Sequence, residues 1–266
     1  MLNLAHAHRH RHAAMLIDSP MLPPALSPML SPSRKLDAAR TLFAISPHLD
    51  DAVFGCAALL AARPGAYVCT VFAGTPGERQ DTEWDRAAGY ADSTHAMRGR
   101  WREDDRALGV CRAKALRLDF LDGQYGALPA AETLADALYE AFAAHAGDGD
   151  ATLVAPLGVH HPDHVRVGEA WALLLRTGRV ASCIVYEDAI HRAARGVVEK
   201  RLGELDKAGL RIAPLDPTWC PERLTARALD IKRRGIVEYA SQLRAFGERI
   251  PADLAKPERY WRVERV

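Results

Sequence analysis

An α/β fold, with an open, mostly parallel sheet flanked by helices in a single domain, is the class the sequence predicts. Two observations predict it. From Thr41 onward short apolar runs alternate with longer amphipathic stretches, as repeated strand–helix units do. The chain, at 266 residues and 48% hydrophobic, is long enough to bury one large core.

The elements follow in order. Leu42–Ser46 reads as the first strand and Ala52–Ala62 as the helix after it. Ala66–Ala73, rich in Val, Tyr, Thr and Phe, is a second strand that stops at the turn signal Gly74-Thr75-Pro76-Gly77. Arg98–Val110 is a charged amphipathic helix, Ala115–Phe120 a third strand and Ala130–Ala144 a helix. Thr152–Ala155 is a fourth strand, Val165–Arg176 a helix and Ile184–Tyr186 a short strand. Gly196–Lys207 and Pro221–Ala245 read as helices. There is no internal repeat.

Residues 1–35 differ in composition. His6, His8, His10 and His12 are interleaved with Arg9 and Arg11, and a Pro/Ser-rich stretch runs from Ser19 to Ser33. The expectation is a disordered arm preceding a domain over residues 36–266; without a long apolar core the arm does not read as a secretory signal. Net charge is +1, so no overall field recruits nucleic acid or an anionic membrane. No apolar run reaches membrane-spanning length. The five cysteines, Cys56, Cys69, Cys111, Cys183 and Cys220, are odd in number and include no C-x-x-C pair. They read as reduced core residues of a cytoplasmic protein. Oligomeric state is not encoded in any of this.

Two clusters carry chemistry. Pro47-His48-Leu49-Asp50-Asp51 follows the first strand and opens the next helix. His160-His161-Pro162-Asp163-His164 follows the fourth strand and opens another. In an open α/β sheet ligands bind beyond the carboxyl ends of the strands, so both clusters belong to the functional edge. Either could be a cap or a solvated loop in isolation; two His/Asp clusters at one edge point to a divalent ion. Zinc accepts imidazole and carboxylate ligands, and His48, Asp51 and His164 would leave a position open for water, as catalytic zinc requires. Asp50 is then the free carboxylate able to take a proton from that water. His161 is the free imidazole for the oxyanion or the departing amine, with Asp163 placed to orient and charge its ring. Spacing alone leaves open whether His161 and His164 exchange these roles.

The two clusters resemble the P-H-x-D-D and H-P-D-H motifs of the PIG-L, or LmbE-like, zinc-dependent N-deacetylases. Thr70-Val71-Phe72-Ala73-Gly74 and Arg100-x-x-Glu103-Asp104 are also similar, and the likeness runs from about Thr41 to Trp261. It implies a Rossmann-like fold and removal of an acetyl or other acyl group from an N-acetylglucosaminyl-type conjugate. It also implies Zn2+ on His48, Asp51 and His164, with another divalent ion such as Fe2+ as the alternative. Asp50 would be the general base, and His161, assisted by Asp163, the acid or oxyanion partner. Arg100 matches a substrate-contacting arginine of the family, and Asp122 is placed to bind sugar hydroxyls. Many members carry Glu after the paired Asp; here Ala52 stands there. The competing readings are a non-haem iron oxygenase, whose usual scaffold is an antiparallel jelly roll, and a noncatalytic metal-containing sugar-binding protein.

Overall fold

The computed structural model describes residues 40–145, 151–247 and 250–266. The arm expected over residues 1–35 lies outside them, as do the first residues of the domain expected over 36–266. The chain runs β1 (Thr41–Ser46), α1 (Asp51–Ala62), β2 (Tyr67–Thr70), α2 (Glu83–Ala87), α3 (Ser93–Cys111), β3 (Lys114–Arg117) and α4 (Ala131–His145). It continues through β4 (Ala151–Pro156), α5 (Pro162–Arg176), β5 (Ser182–Tyr186), α6 (Val197–Lys207) and β6 (Leu210–Pro214). The last elements are α7 (Ala226–Val237), α8 (Ala240–Ala245) and β7 (Tyr260–Arg265). Among the described residues no helix is long and apolar enough to cross a membrane.

The strands form one seven-stranded sheet in the order β3-β2-β1-β4-β5-β7-β6. β1 to β5 pair in parallel, and only β7 runs against its neighbours. Helices cover both faces, which is why β1 reads as an unbroken apolar run and not as an alternation. Leu42 and Ala44 pack with Phe54, Leu59, Leu108 and Ile231 on one side. Phe43 and Ile45 pack with Leu134, Leu138, Trp171 and Leu174 on the other.

Several expectations need correction. α3 starts at Ser93, five residues before the expected Arg98, because the Asp92 side chain accepts from the His95 N–H at 2.9 Å and caps it. The single helix expected over Pro221–Ala245 is three pieces: a 3-10 turn at Pro221–Leu224, then α7 and α8. Thr225 caps α7 by accepting from the Ala228 N–H, and Tyr239, at φ −84 and ψ 53, breaks the chain before α8. Buried partners hold that break: the Tyr239 hydroxyl donates to Asp104 at 2.8 Å, and Ser241 donates twice to Glu103, at 2.8 and 2.6 Å. α2, β6 and β7 were not expected at all.

The loop after β4 depends on one glycine. Gly158 has φ +78, and an added Cβ would meet Gly168 Cα and the His164 carbonyl oxygen at 2.7 Å, both backbone atoms that cannot yield. Gly158→Ala is therefore expected to destabilise the fold by about 2 kcal/mol or more. In Gly109→Ala, where a Cβ meets nothing within 4 Å, stability should rise by up to about 1 kcal/mol. Urea unfolding of both variants checks the pair.

Candidate active site

The turn from β1 into α1 is built to present His48 and Asp51 together. Ser46 Oγ donates to the His48 carbonyl at 2.5 Å and accepts from the Ala52 N–H at 2.9 Å, fixing the backbone on both sides of the turn. Asp51 Oδ2 accepts from the His48 N–H at 2.8 Å and lies 3.1 Å from His48 Nδ1. Asp50 occupies the N-cap position of α1, yet its side chain makes no capping bond. Its carboxyl is buried and uncommitted.

From the adjacent strand, β4, the chain passes Gly158 and enters α5 with His161 as N-cap and Pro162 in the first turn. Starting α5 at Pro162 puts His164 inside the helix, almost fully buried, with Nε2 3.2 Å from Asp51 Oδ2. The other nitrogen, Nδ1, is 2.6 Å from Asp188 Oδ1. Asp188 follows β5 and accepts from the Gly158 N–H at 2.9 Å, so one carboxylate fixes both the loop and the imidazole. A carboxylate only accepts, so the His164 proton sits on Nδ1 and Nε2 is the nitrogen free to bind something else. That Nε2 is buried without a hydrogen-bond partner.

Asp163 plays a different part from the expected one. Its Oδ2 is 3.0 Å from His48 Nε2 and accepts from the Gly123 N–H at 2.9 Å. An added Cβ on Gly123 would come within 2.6 Å of Asp163 Oδ1, so only glycine permits this approach. Toward His161 the contact is longer, 3.5 Å between Oδ1 and Nδ1, and the His161 ring instead accepts the Asp163 N–H at 3.3 Å. The Asp163 carboxylate thus lies closer to His48 than to His161, while its backbone N–H meets the His161 ring.

Arg100 and Asp122, expected to face substrate, meet on the wall of the same cavity. Arg100 is 3% exposed, so it is no solvated helix charge, and its Nη1 lies 3.2 Å from Asp122 Oδ2. Asp122 also accepts from the Gln124 backbone and side-chain amides, both at 3.1 Å, so it shapes the 122–125 turn as well. The cavity has a volume of about 560 Å³, and its lining includes His48, Asp50, Asp51, Arg100, Asp122 and His161.

Electrostatically the site carries surplus negative charge. Burial opposes charge on His48, but Asp122, Asp163 and Asp51 outweigh it and hold its pKa well above the usual imidazole value. The same contest, burial against Asp51 and Asp188, raises His164 to about 9. Burial would raise Asp51, yet His164 and His48 hold it well below the usual carboxylate range. Asp50 goes the other way: burial and repulsion from Asp51 push it up to about 7, against Arg100 and both imidazoles. His161 was expected to be raised by Asp163. Burial and the neighbouring His48 and His164 lower it instead.

Two groups among the described residues bring three ligand atoms within 4.8 Å of one another: His48, Asp51 and His164, and His48, His161 and Asp163. The donors suit a divalent cation, since the acids that strengthen proton binding at both imidazoles equally strengthen binding of a cation. The His164 Nε2, buried without a hydrogen bond, favours the first group. In the second, the His161 and Asp163 atoms already have partners.

Two residues at the site went unread in the sequence. Asp188 stands directly after a strand, as Asp50 and Asp51 nearly do, and that position was the available signal. His191 lines the cavity with its ring centroid 4.3 Å from that of His164; burial and His164 drive its pKa down to about 3. It sits beside Ile190, which holds φ +73, a rare conformation for a β-branched residue. Asp253 Oδ2 accepts from the Ile190 N–H at 2.9 Å and from Arg192 Nε at 2.8 Å, pinning the loop there.

The fold is found in solved structures. A deacetylase triple mutant of the teicoplanin biosynthetic pathway (Orf2*T) superposes with a TM-score of 0.68 at 23% identity, over 85% of this chain and 98% of that one. The zinc-inhibited form of teicoplanin deacetylase Orf2 gives 0.68 at 21% identity over the same shares, 85% and 98%. The A40926 pseudoaglycone deacetylase Dbv21 gives 0.62 at 23%, over 86% and 98%. No curated protein matches the sequence significantly. The family profile described as GlcNAc-PI de-N-acetylase, PIG-L, matches residues 43–174, the stretch from β1 to α5 that holds both His/Asp clusters. With that match and the two motifs inside it, residues 43–174 are identified as a PIG-L family domain.

Proposed function

We propose that the protein is a metal-dependent N-deacetylase, a hydrolase that removes an acetyl or other acyl group from the nitrogen of an N-acetylglucosaminyl-type conjugate. One observation carries the reading: a buried His164 Nε2 that makes no hydrogen bond and lies 3.2 Å from Asp51 Oδ2, grouped with His48, with a free carboxyl and a further imidazole lining the same cavity. The family description and the deacetylases that share the fold support the reaction class. The parallel sheet is not the jelly roll on which an oxygenase reading rests.

His48, Asp51 and His164 would hold the ion, zinc by the imidazole–carboxylate donor set. A divalent ion there supplies Lewis acidity, polarising the amide carbonyl and making a water more acidic. Asp50 accepts the proton of the attacking water, a task suited to a carboxylate whose burial and acidic neighbour raise its proton affinity. His161 uses Nδ1 to accept the Asp163 N–H, so the neutral ring carries its proton on Nε2. That N–H donates to the developing oxyanion, and the proton taken up by Asp50 passes to the leaving nitrogen, which departs as the amine while the carboxylate is restored. Arg100 and Asp122, held by each other, position the sugar hydroxyls. All five cysteines are free, in keeping with a reducing, cytoplasmic location.

Metal content of the full-length chain separates the two histidines of the second motif. Counted as a difference from the parent, so that the His6–His12 tract cancels, His164→Ala should lose one ion per chain and His161→Ala none. The opposite pattern would reverse their roles.

Asp50→Asn should keep its ion and lose about 10² to 10⁴ in amine release from an N-acetylglucosaminide. A variant that turns over normally would remove Asp50 from the mechanism.

Asp188→Asn keeps the shape of the side chain but can no longer hold the His164 ring as a carboxylate does. Its affinity for zinc, measured by competition with a chelating dye, should fall about 10- to 100-fold. Unchanged affinity would reduce Asp188 to a loop anchor.

A further inference from the structure

Beside its charged and polar residues the cavity is lined by a set of apolar side chains, Phe54, Trp84, Leu128, Ile190 and Phe246, with Gln242 among them. Trp84 and Phe246 form an edge-to-face pair with ring centroids 5.4 Å apart. Phe54 makes a similar pair with Tyr239 at 5.5 Å.

This wall is held unusually firmly for a surface that faces an open cavity. Trp84 Nε1 donates to Gln242 Oε1 at 3.0 Å, and Gln242 Nε2 donates to Ser241 Oγ at 2.9 Å. Ser241 is fixed in turn by Glu103, so the indole is locked by a buried polar chain that begins in α3. On the other side α2, which carries Trp84, is tied to the 122–125 turn. Thr82 Oγ1 donates to Gln124 Oε1 at 2.7 Å, and the Tyr125 hydroxyl donates to Asp85 Oδ2 at 2.7 Å. The part of the wall on α2 is therefore tied to the turn that carries Asp122, and a ligand that lies against it meets a surface already held by hydrogen bonds.

The geometry points to an aromatic subsite in which Trp84, Phe246 and Phe54 bind a planar apolar group carried by the amino sugar. This rests on the N-deacetylase reading above. A second sugar ring is the competing occupant, and the wall argues against it. A sugar presents hydroxyls around its rim, and the polar atoms of the wall, the indole N–H and Gln242 Oε1, are already paired with each other. The groups suited to reading hydroxyls are other residues of the lining, Arg100, Asp122 and Asp50. An amphipathic cavity selects an amphipathic conjugate, with its sugar on those polar groups and an aromatic aglycone on the wall. Trp84 and Phe54 lie within the family match, whereas Gln242 and Phe246 lie beyond residue 174, outside it.

The test compares methyl and benzyl N-acetylglucosaminides and the N-acetylglucosaminyl disaccharide on the zinc-loaded full chain, by amine release. The benzyl glycoside is expected to exceed the methyl glycoside in kcat/KM by at least about tenfold, through KM, and to exceed the disaccharide. Trp84→Ala and Phe246→Ala should bring the benzyl-to-methyl ratio close to one. The ratio is taken within one sample, so partial unfolding cancels. A parent ratio near one, a ratio that survives in Trp84→Ala, or a preference for the disaccharide would overturn the subsite. Should no glycoside release amine, the N-deacetylase reading fails separately, and calorimetric binding of the same glycosides decides the subsite. Tighter benzyl binding that is lost in Trp84→Ala would sustain it, and equal binding would overturn it.

Discussion

The parallel pairing of β1 with β4, Thr41 to Ala44 against Ala151 to Val154, is the contact on which the site depends. After β1 the chain winds outward through β2 and β3, then returns across the sheet to lay β4 on the opposite side of β1. That reversal opens a crevice between the two strand ends. His48 and His164 are 116 positions apart in the chain and become neighbours only because both strands end at the same edge. The rest of the sheet serves this edge: β5 delivers Asp188, and the turn after β3 delivers Asp122 and Gly123.

Placing five carboxylates, Asp50, Asp51, Asp122, Asp163 and Asp188, around one crevice is costly for a folded chain on its own. Arg100 answers Asp122 and Asp50 with a permanent charge. His48 and His164 compensate by holding protons more tightly than ordinary imidazoles. A bound cation would relieve the same repulsion more fully, so metal capture and stability of the site are coupled. The division of labour among the acids follows from their partners. Asp163 and Asp188 are committed to imidazoles, Asp122 to a guanidinium and Asp51 to both rings, which leaves Asp50 alone with a raised pKa.

Sequence made the frame and the metal edge legible for a physical reason. His48, Asp50, Asp51 and His164 belong to the segments that lead from an apolar strand into the next helix, where burial would otherwise exclude such groups, so they advertise a task. The parallel core strands stand out because both faces are covered. Less legible were features that depend on distant partners. β7 sends Tyr260 to one core and Val263 to the other, so it shows no one-sided alternation. The break at Tyr239 is fixed by Asp104 and Glu103, residues more than a hundred positions earlier. Trp84 gains its meaning from Gln242, and Asp163 turns to His48 because Gly123 lets it approach. Local pattern carries none of these pairings.

The strained Ile190 loop ties the crevice to the order of synthesis. Asp253, which holds Ile190 and Arg192, and β7, whose Trp261 donates to Glu187 beside Asp188, follow every other described element in the chain. A nascent chain therefore has both His/Asp clusters before it has the anchors that set the Asp188 loop against His164. Domains gain their packing as units once their last segments emerge. The crevice thus matures late, after translation has passed β7, and a cation that arrives earlier meets ligands not yet held in place.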